Sequence, residues 1–135
     1  METEAPVTVG GVMSPDVRRI ERTATVAEAL SSMRAEGVSS LVVERRDARD
    51  EYGLIGITDI AREVIARDRP VERVNVYEVM SKPVLTVPVD MQTRYAVRLL
   101  VRFGLSRALV VDQTRTPVGI VTLRDLLLRP GHDVP

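Results

Sequence analysis

Apolar residues change their spacing in the same order in both halves of this chain of 135 residues. In the C-terminal half, Pro83-Val84-Leu85-Thr86-Val87-Pro88 is rich in β-prone residues and closed by a proline, which predicts a short strand. Ala96, Leu99, Leu100 and Phe103 then fall at helical spacing, and Gly104 stands where a C-terminal cap belongs. Two apolar runs, Ala108 to Asp112 and Val118 to Val121, flank the polar turn Gln113 to Pro117 and predict a hairpin of buried strands. A last helix is expected from Leu123 to Leu128, ahead of Pro130-Gly131. The N-terminal half has the same grammar. Val26, Ala29, Leu30 and Met33 give its helix and Gly37 the cap; Leu41-Val42-Val43 and Gly53-Leu54-Ile55 give the hairpin; Ile60 to Ile65 carries the closing helix. The charge run Glu44 to Glu51 reads as a solvated hairpin loop.

The parallel extends to residue identities. Val12-Met13-Ser14 recurs as Val79-Met80-Ser81, Gly37-Val38-Ser39 as Gly104-Leu105-Ser106, and Gly53 to Asp59-Ile60 as Gly119 to Asp125-Leu126. Met13 to Met80 and Gly37 to Gly104 are each 67 positions apart, and Gly53 to Gly119 and Asp59 to Asp125 are each 66, so one loop has lost a residue. Two copies of a long period do not make a solenoid. They predict an α+β fold of two β-α-β-β-α repeats, related by a pseudo-twofold axis and packed sheet to sheet into one module. The expected divisions are a tail (1–11), repeat 1 (12–67), a linker (68–78), repeat 2 (79–128) and a second tail (129–135). Any ligand is expected where the halves meet.

Composition narrows the function. With 19 basic and 19 acidic side chains the formal charge is zero, which removes the broad footprint of a nucleic-acid binder, and one Phe, three Tyr and no Trp leave few stacking platforms. The absence of cysteine removes disulfides, thiolate metal sites and cysteine nucleophiles. His132, the single histidine, reads as a solvated tail residue, so neither a metal site nor a catalytic base is nominated. With no Gly-x-Ser-x-Gly elbow and no P-loop, the chain is not expected to be an enzyme. Met1 to Thr8 lacks the profile of a signal peptide, and no apolar run reaches spanning length, so a cytoplasmic protein is expected.

One motif carries chemistry: Gly119-Ile120-Val121-Thr122-Leu123-Arg124-Asp125. Thr122 followed three positions later by an acid is a capping box, in which hydroxyl and carboxylate satisfy helix-start amides. The same geometry suits a nucleotide. A helix start favours phosphate, a carboxylate one turn in offers acceptors to vicinal ribose hydroxyls, and the threonine hydroxyl donates to phosphate or sugar oxygen. Spacing alone leaves both readings open.

The doubling, the Val-Met-Ser starts, the segments Gly37-Val38-Ser39-Ser40-Leu41-Val42-Val43 and Gly104-Leu105-Ser106-Arg107-Ala108-Leu109-Val110-Val111, and the closing Gly-Ile-Val-Thr-x-x-Asp resemble a CBS domain pair, the tandem module first recognised in cystathionine β-synthase. The resemblance covers Val12 to Leu128. It implies a regulatory module that needs no cofactor and binds an adenosine-containing ligand between its repeats, with AMP, ADP or ATP ahead of NAD or S-adenosylmethionine. Asp125 matches the ribose-binding acid and Thr122 the phosphate-side hydroxyl, with Ile120 and Arg124 in the same segment. The resemblance further implies that Ser39 and Ser40, with Val17 and Arg18, face Thr122 and Asp125. A second site would combine Asp59 with Val84, Leu85, Ser106 and Arg107, the arginine lying near phosphate. Gly56 stands where the family has Thr or Ser, so the acid Asp59 is kept without its hydroxyl, and Thr58 is a substitute only if the helix starts later.

Side-by-side homodimers are common among CBS pairs, and the Ala96, Leu99, Leu100, Phe103 face suits either the core or such a contact. The implied partners are therefore an adenine nucleotide, a second copy and an unidentified regulated protein. The competing reading is a ligand-free dimerisation module, while nucleic acid and membrane are not expected as partners.

Overall fold

The computed structural model describes residues 6–129, so His132 and Pro130-Gly131 lie outside the described residues. The chain folds as two compact units, one running from Arg18 to Val84, the other built from the segment up to Val17 together with the segment from Leu85 onward.

In the Arg18–Val84 unit, strands β1 (Arg19–Ile20), β2 (Ser40–Val43) and β3 (Gly53–Gly56) form a sheet in that order, β1 parallel to β2 and β2 antiparallel to β3. Helix α2 (Val26–Glu36) crosses between β1 and β2. It starts at a complete capping box: Glu28 N–H donates to Thr25 Oγ1 (3.1 Å) and Thr25 N–H to Glu28 Oε1 (2.9 Å). It ends at Gly37, whose φ of 68° is the left-handed conformation that glycine tolerates best. Val26, Ala29 and Met33 of α2 meet Leu41, Val43 and Ile55 of the sheet in the core.

The closing helix begins earlier than expected. Helix α3 (Ile57–Ile60) follows β3 directly and runs on through a wider π-type turn, Ala61–Ile65, with Ile60 and Val64 facing the core. The segment 68–78 between the copies is itself structural: Val26 N–H donates to Val74 C=O and Val76 N–H to Ala24 C=O (2.8 Å each), and Val74 and Val76 are buried. The hairpin loop 44–51 is solvated only in part. Asp50 is ion-paired to Lys82 and accepts from Arg46 N–H (2.8 Å), and these bonds, that of Lys82 foremost, hold its carboxyl well below the usual carboxylate range.

The other unit repeats the design. Strands β4 (Thr86–Pro88), β5 (Arg107–Val111) and β6 (Pro117–Thr122) form a sheet in that order, with β4 parallel to β5, β5 antiparallel to β6 and an irregularity at Val110/Val111. Helix α4 (Thr93–Arg102) buries Ala96 and Leu100, and α5 (Leu123–Leu128) buries Leu126. Leu99 is partly buried against the core, whereas Phe103 stands past the helix end and is 58% exposed, because Gly104 at φ 66° turns the chain away.

The expected N-terminal tail to residue 11 is too long. Val9 and Val12 lie three apart on the single turn α1 (Val9–Val12), which puts both on one side, and both are fully buried in the core of the unit that contains β4, β5 and β6. The next residues pair with its sheet: Ser14 N–H donates to Ile120 C=O (2.9 Å) and Ile120 N–H to Ser14 C=O (3.0 Å). Ser81 and Leu54 make the matching pair in the Arg18–Val84 unit. Each Val-Met-Ser start therefore completes the sheet formed by the other sequence repeat. Gly119 and Gly53 follow from this, because a β-carbon on either would collide with the sulfur of Met13 or Met80.

Candidate functional site

In the unit with β4, β5 and β6, the expected site residues gather where β5 begins and β6 ends. Arg107 sits opposite Thr122 in the strand pair, and Leu123 N–H donates to Ser106 C=O (2.9 Å). Leu85 is at the same end, its carbonyl accepting from Leu109 N–H (2.9 Å). The capping box is complete: Asp125 N–H donates to Thr122 Oγ1 (3.0 Å) and Thr122 N–H to Asp125 Oδ2 (3.1 Å). Arg129 Nε donates to the other oxygen, Oδ1 (3.2 Å), which sequence reasoning missed although the i,i+4 spacing signalled it. The site acid is thus held through both oxygens and is 17% exposed. Its two oxygens offer about four lone-pair sites, so acceptors remain for sugar hydroxyls.

The free helix-start amides expected from the motif are mostly in use. Leu123 N–H is taken by Ser106 and Asp125 N–H by Thr122, which leaves the Arg124 N–H of the first turn. Positive charge is the stronger attraction for a phosphate here: Arg107 and the exposed Arg124 side chain form no ion pair among the described residues. Ile120 lies buried in β6, away from this end, and binds Ser14 through its backbone.

The Arg18–Val84 unit builds the equivalent cluster with different chemistry. Ile57 N–H donates to Ser39 C=O (3.1 Å), Ser40 pairs with Gly56, and Val42 N–H donates to Arg18 C=O (2.8 Å). Gly56 N–H donates to Asp59 Oδ2 (2.9 Å), and Arg62 Nη2 to Asp59 Oδ1 (3.1 Å). Gly56 caps α3 with no side chain, and the helix start does not move to favour Thr58, which is exposed in the first turn. Ser40 is 8% exposed where its counterpart Arg107 carries a charge. Arg18 is already ion-paired with Glu36 (3.3 Å).

Sheet geometry therefore groups Ser39, Ser40 and Arg18 with Asp59, and Leu85, Ser106 and Arg107 with Thr122 and Asp125. The unit boundaries fall between Val17 and Arg18 and between Val84 and Leu85, so Val17 and Arg18 belong to different units, as do Val84 and Leu85. Among the described residues no group of three His, Cys, Asp or Glu side chains is placed to hold a metal, and no helix is long and apolar enough to cross a membrane.

The CBS domain profile matches the chain twice, over residues 9–66 and 76–131. An uncharacterised protein of Methanopyrus kandleri is 35% identical over 122 residues, which are 90% of this chain, and the chain spans 61% of that relative's length. Among solved structures, a hexameric CBS-CP12 protein from bloom-forming cyanobacteria aligns with a TM-score of 0.88 at 32% identity, covering 93% of this chain and 69% of that one. The cytosolic domain of the Mg2+ channel MgtE, solved in complex with ATP, aligns with a TM-score of 0.69 at 26% identity, covering 89% and 47%. Two in-register matches, three-stranded sheets in both units and CBS proteins as structural neighbours agree: the chain belongs to the CBS domain family.

Proposed function

We propose that this chain is a regulatory, non-catalytic module that binds an adenine nucleotide, AMP, ADP or ATP, and passes its occupancy to a partner protein. The observation that carries the reading is the convergence of Arg107, Ser106, Thr122 and Asp125 at one end of one sheet. Asp125 takes the ribose hydroxyls, Thr122 the adjoining oxygens, and Arg107 with Arg124 the phosphate. The Asp59 cluster keeps the carboxylate but has Ser40 in place of the arginine and Gly56 in place of the hydroxyl. It is therefore the weaker site. The MgtE domain solved with ATP supports a nucleotide as the ligand class.

Thermal unfolding with AMP, ADP, ATP, NAD, S-adenosylmethionine and a guanine nucleotide tests the reading, since a ligand selective for the native state stabilises it by mass action. The reading predicts a saturable upward shift with an adenine nucleotide and none with the guanine nucleotide. Indifference to all six, with melting that depends on protein concentration, would favour the ligand-free homodimer, for which the exposed Leu127 and Leu128 of α5 speak.

A further inference from the structure

The two crossover helices differ most where the fold demands least. Ala29 and Ala96 are equivalent and both buried, as are Met33 and Leu100. On the outer face, Ala27, Ser31 and Ala35 of α2 are replaced in α4 by Arg94, Arg98 and Arg102. These three arginines are exposed and have no ion-pair partner among the described residues, and α4 contains no acidic residue. Spaced four apart, they form a stripe along the helix with about 6 Å of rise between successive α-carbons.

The stripe works against the helix that carries it. Like charges at i,i+4 destabilise a helix, and Arg94 stands in the first turn, where the dipole disfavours a cation. The N-cap, Gln92, makes no side-chain cap bond and the first turn holds no acid, whereas α2 has the full Thr25–Glu28 box. Local rules broken on one copy and kept on the other mark a face selected for something besides folding. Aromatic rings also order the stripe. Arg94 and Arg98 lie over the Tyr95 ring at 5.0 and 5.3 Å from its centroid, and Arg102 over Phe103 at 5.9 Å. Beside them Val101 is 66% exposed.

We propose that the outer face of α4 docks an acidic amphipathic segment of another protein, whose carboxylates one helical turn apart meet Arg94, Arg98 and Arg102 while its apolar side covers Val101 and Phe103. Rings that hold the guanidinium groups lower the ordering cost of binding. A bare polyphosphate would use the arginines and leave the apolar residues uncovered. A second copy packed face to face about a twofold axis would set arginine against arginine. The inference deepens the regulatory reading by naming the partner's chemistry, and it is separable from that reading because it needs no nucleotide.

The test uses the full chain and a synthetic 16-residue helical peptide bearing Glu at every fourth position with leucines on the adjoining face, followed by fluorescence anisotropy at low and moderate salt. The triple variant Arg94→Ala/Arg98→Ser/Arg102→Ala installs the residues that α2 carries, which the same fold accommodates. It is expected to bind the peptide at least tenfold more weakly, with an unchanged or raised Tm and the same nucleotide response. The charge-reversed variant Arg94→Glu/Arg98→Glu/Arg102→Glu is expected to reject this peptide and accept its Lys counterpart. Equal affinity in the triple variant would overturn the proposal. So would tighter binding of the native chain to phosphatidylserine vesicles or to a single-stranded oligonucleotide, or a change of oligomeric state in the variant without a change in peptide affinity.

Discussion

At the scale of single residues, Thr122 and Asp125 have two tasks, and their energetics can be separated. Thr122→Ala removes the hydroxyl that accepts from Asp125 N–H and should cost about 1 kcal/mol, read as a Tm lower by roughly 3–6 °C. Asp50 supplies a pH prediction. Its folded pKa is depressed, first by Lys82, so its contribution is fully present above the unfolded value of about 4 and is lost as pH falls below it. Asp50→Asn should therefore lower Tm at pH 7, and its deficit against the native chain should shrink in melts between pH 4 and pH 2. The capping box was legible because Thr-x-x-Asp before an apolar run has a local meaning. The Lys82–Asp50 pair was not: 32 positions separate the two residues, and only the return of the chain to β3 brings them together.

At the scale of elements, periodicity located the crossover helices and the hairpin strands, because each buries a regular subset of its residues. Both helices stop at a glycine with positive φ, Gly37 and Gly104, and nothing crowds the space beyond either α-carbon. Gly104→Ala should thus act through backbone strain alone, costing about 1 kcal/mol in chemical denaturation with an unchanged m-value. Short elements were illegible for a physical reason. The four residues of α1 are too few to show a helical period, and the π-type turn after α3, in which Val64 is buried in the core, spans only five residues. The register of the Asp59 motif was readable, whereas the fixed helix start at Gly56 required the structure.

At the scale of the whole molecule, the repeat was visible in the sequence, but the exchange of the Val-Met-Ser segments was not. A repeated motif does not say which copy of a sheet it completes. That exchange predicts that a fragment beginning at residue 79 and ending at 129 lacks the Val9 and Val12 side chains and the Ser14 pairing that its core and sheet require. By circular dichroism it should fail to fold cooperatively alone and should gain structure when a peptide of residues 6–17 is added. The same architecture makes the two carboxylate clusters equivalent in geometry and unequal in chemistry, since Arg107 and Thr122 occur in one and Ser40 and Gly56 in the other. The most direct measurement of the account is calorimetric titration of ATP and AMP into the native chain and into Asp125→Ala at matched temperature. The account predicts saturable binding to the native chain and at least tenfold weaker binding to the variant, with the variant still folded by circular dichroism. Equal affinity in the two proteins would contradict it by removing Asp125 from ligand recognition, and mixing with the native chain that stays heat-silent at two well-separated temperatures would remove the nucleotide altogether.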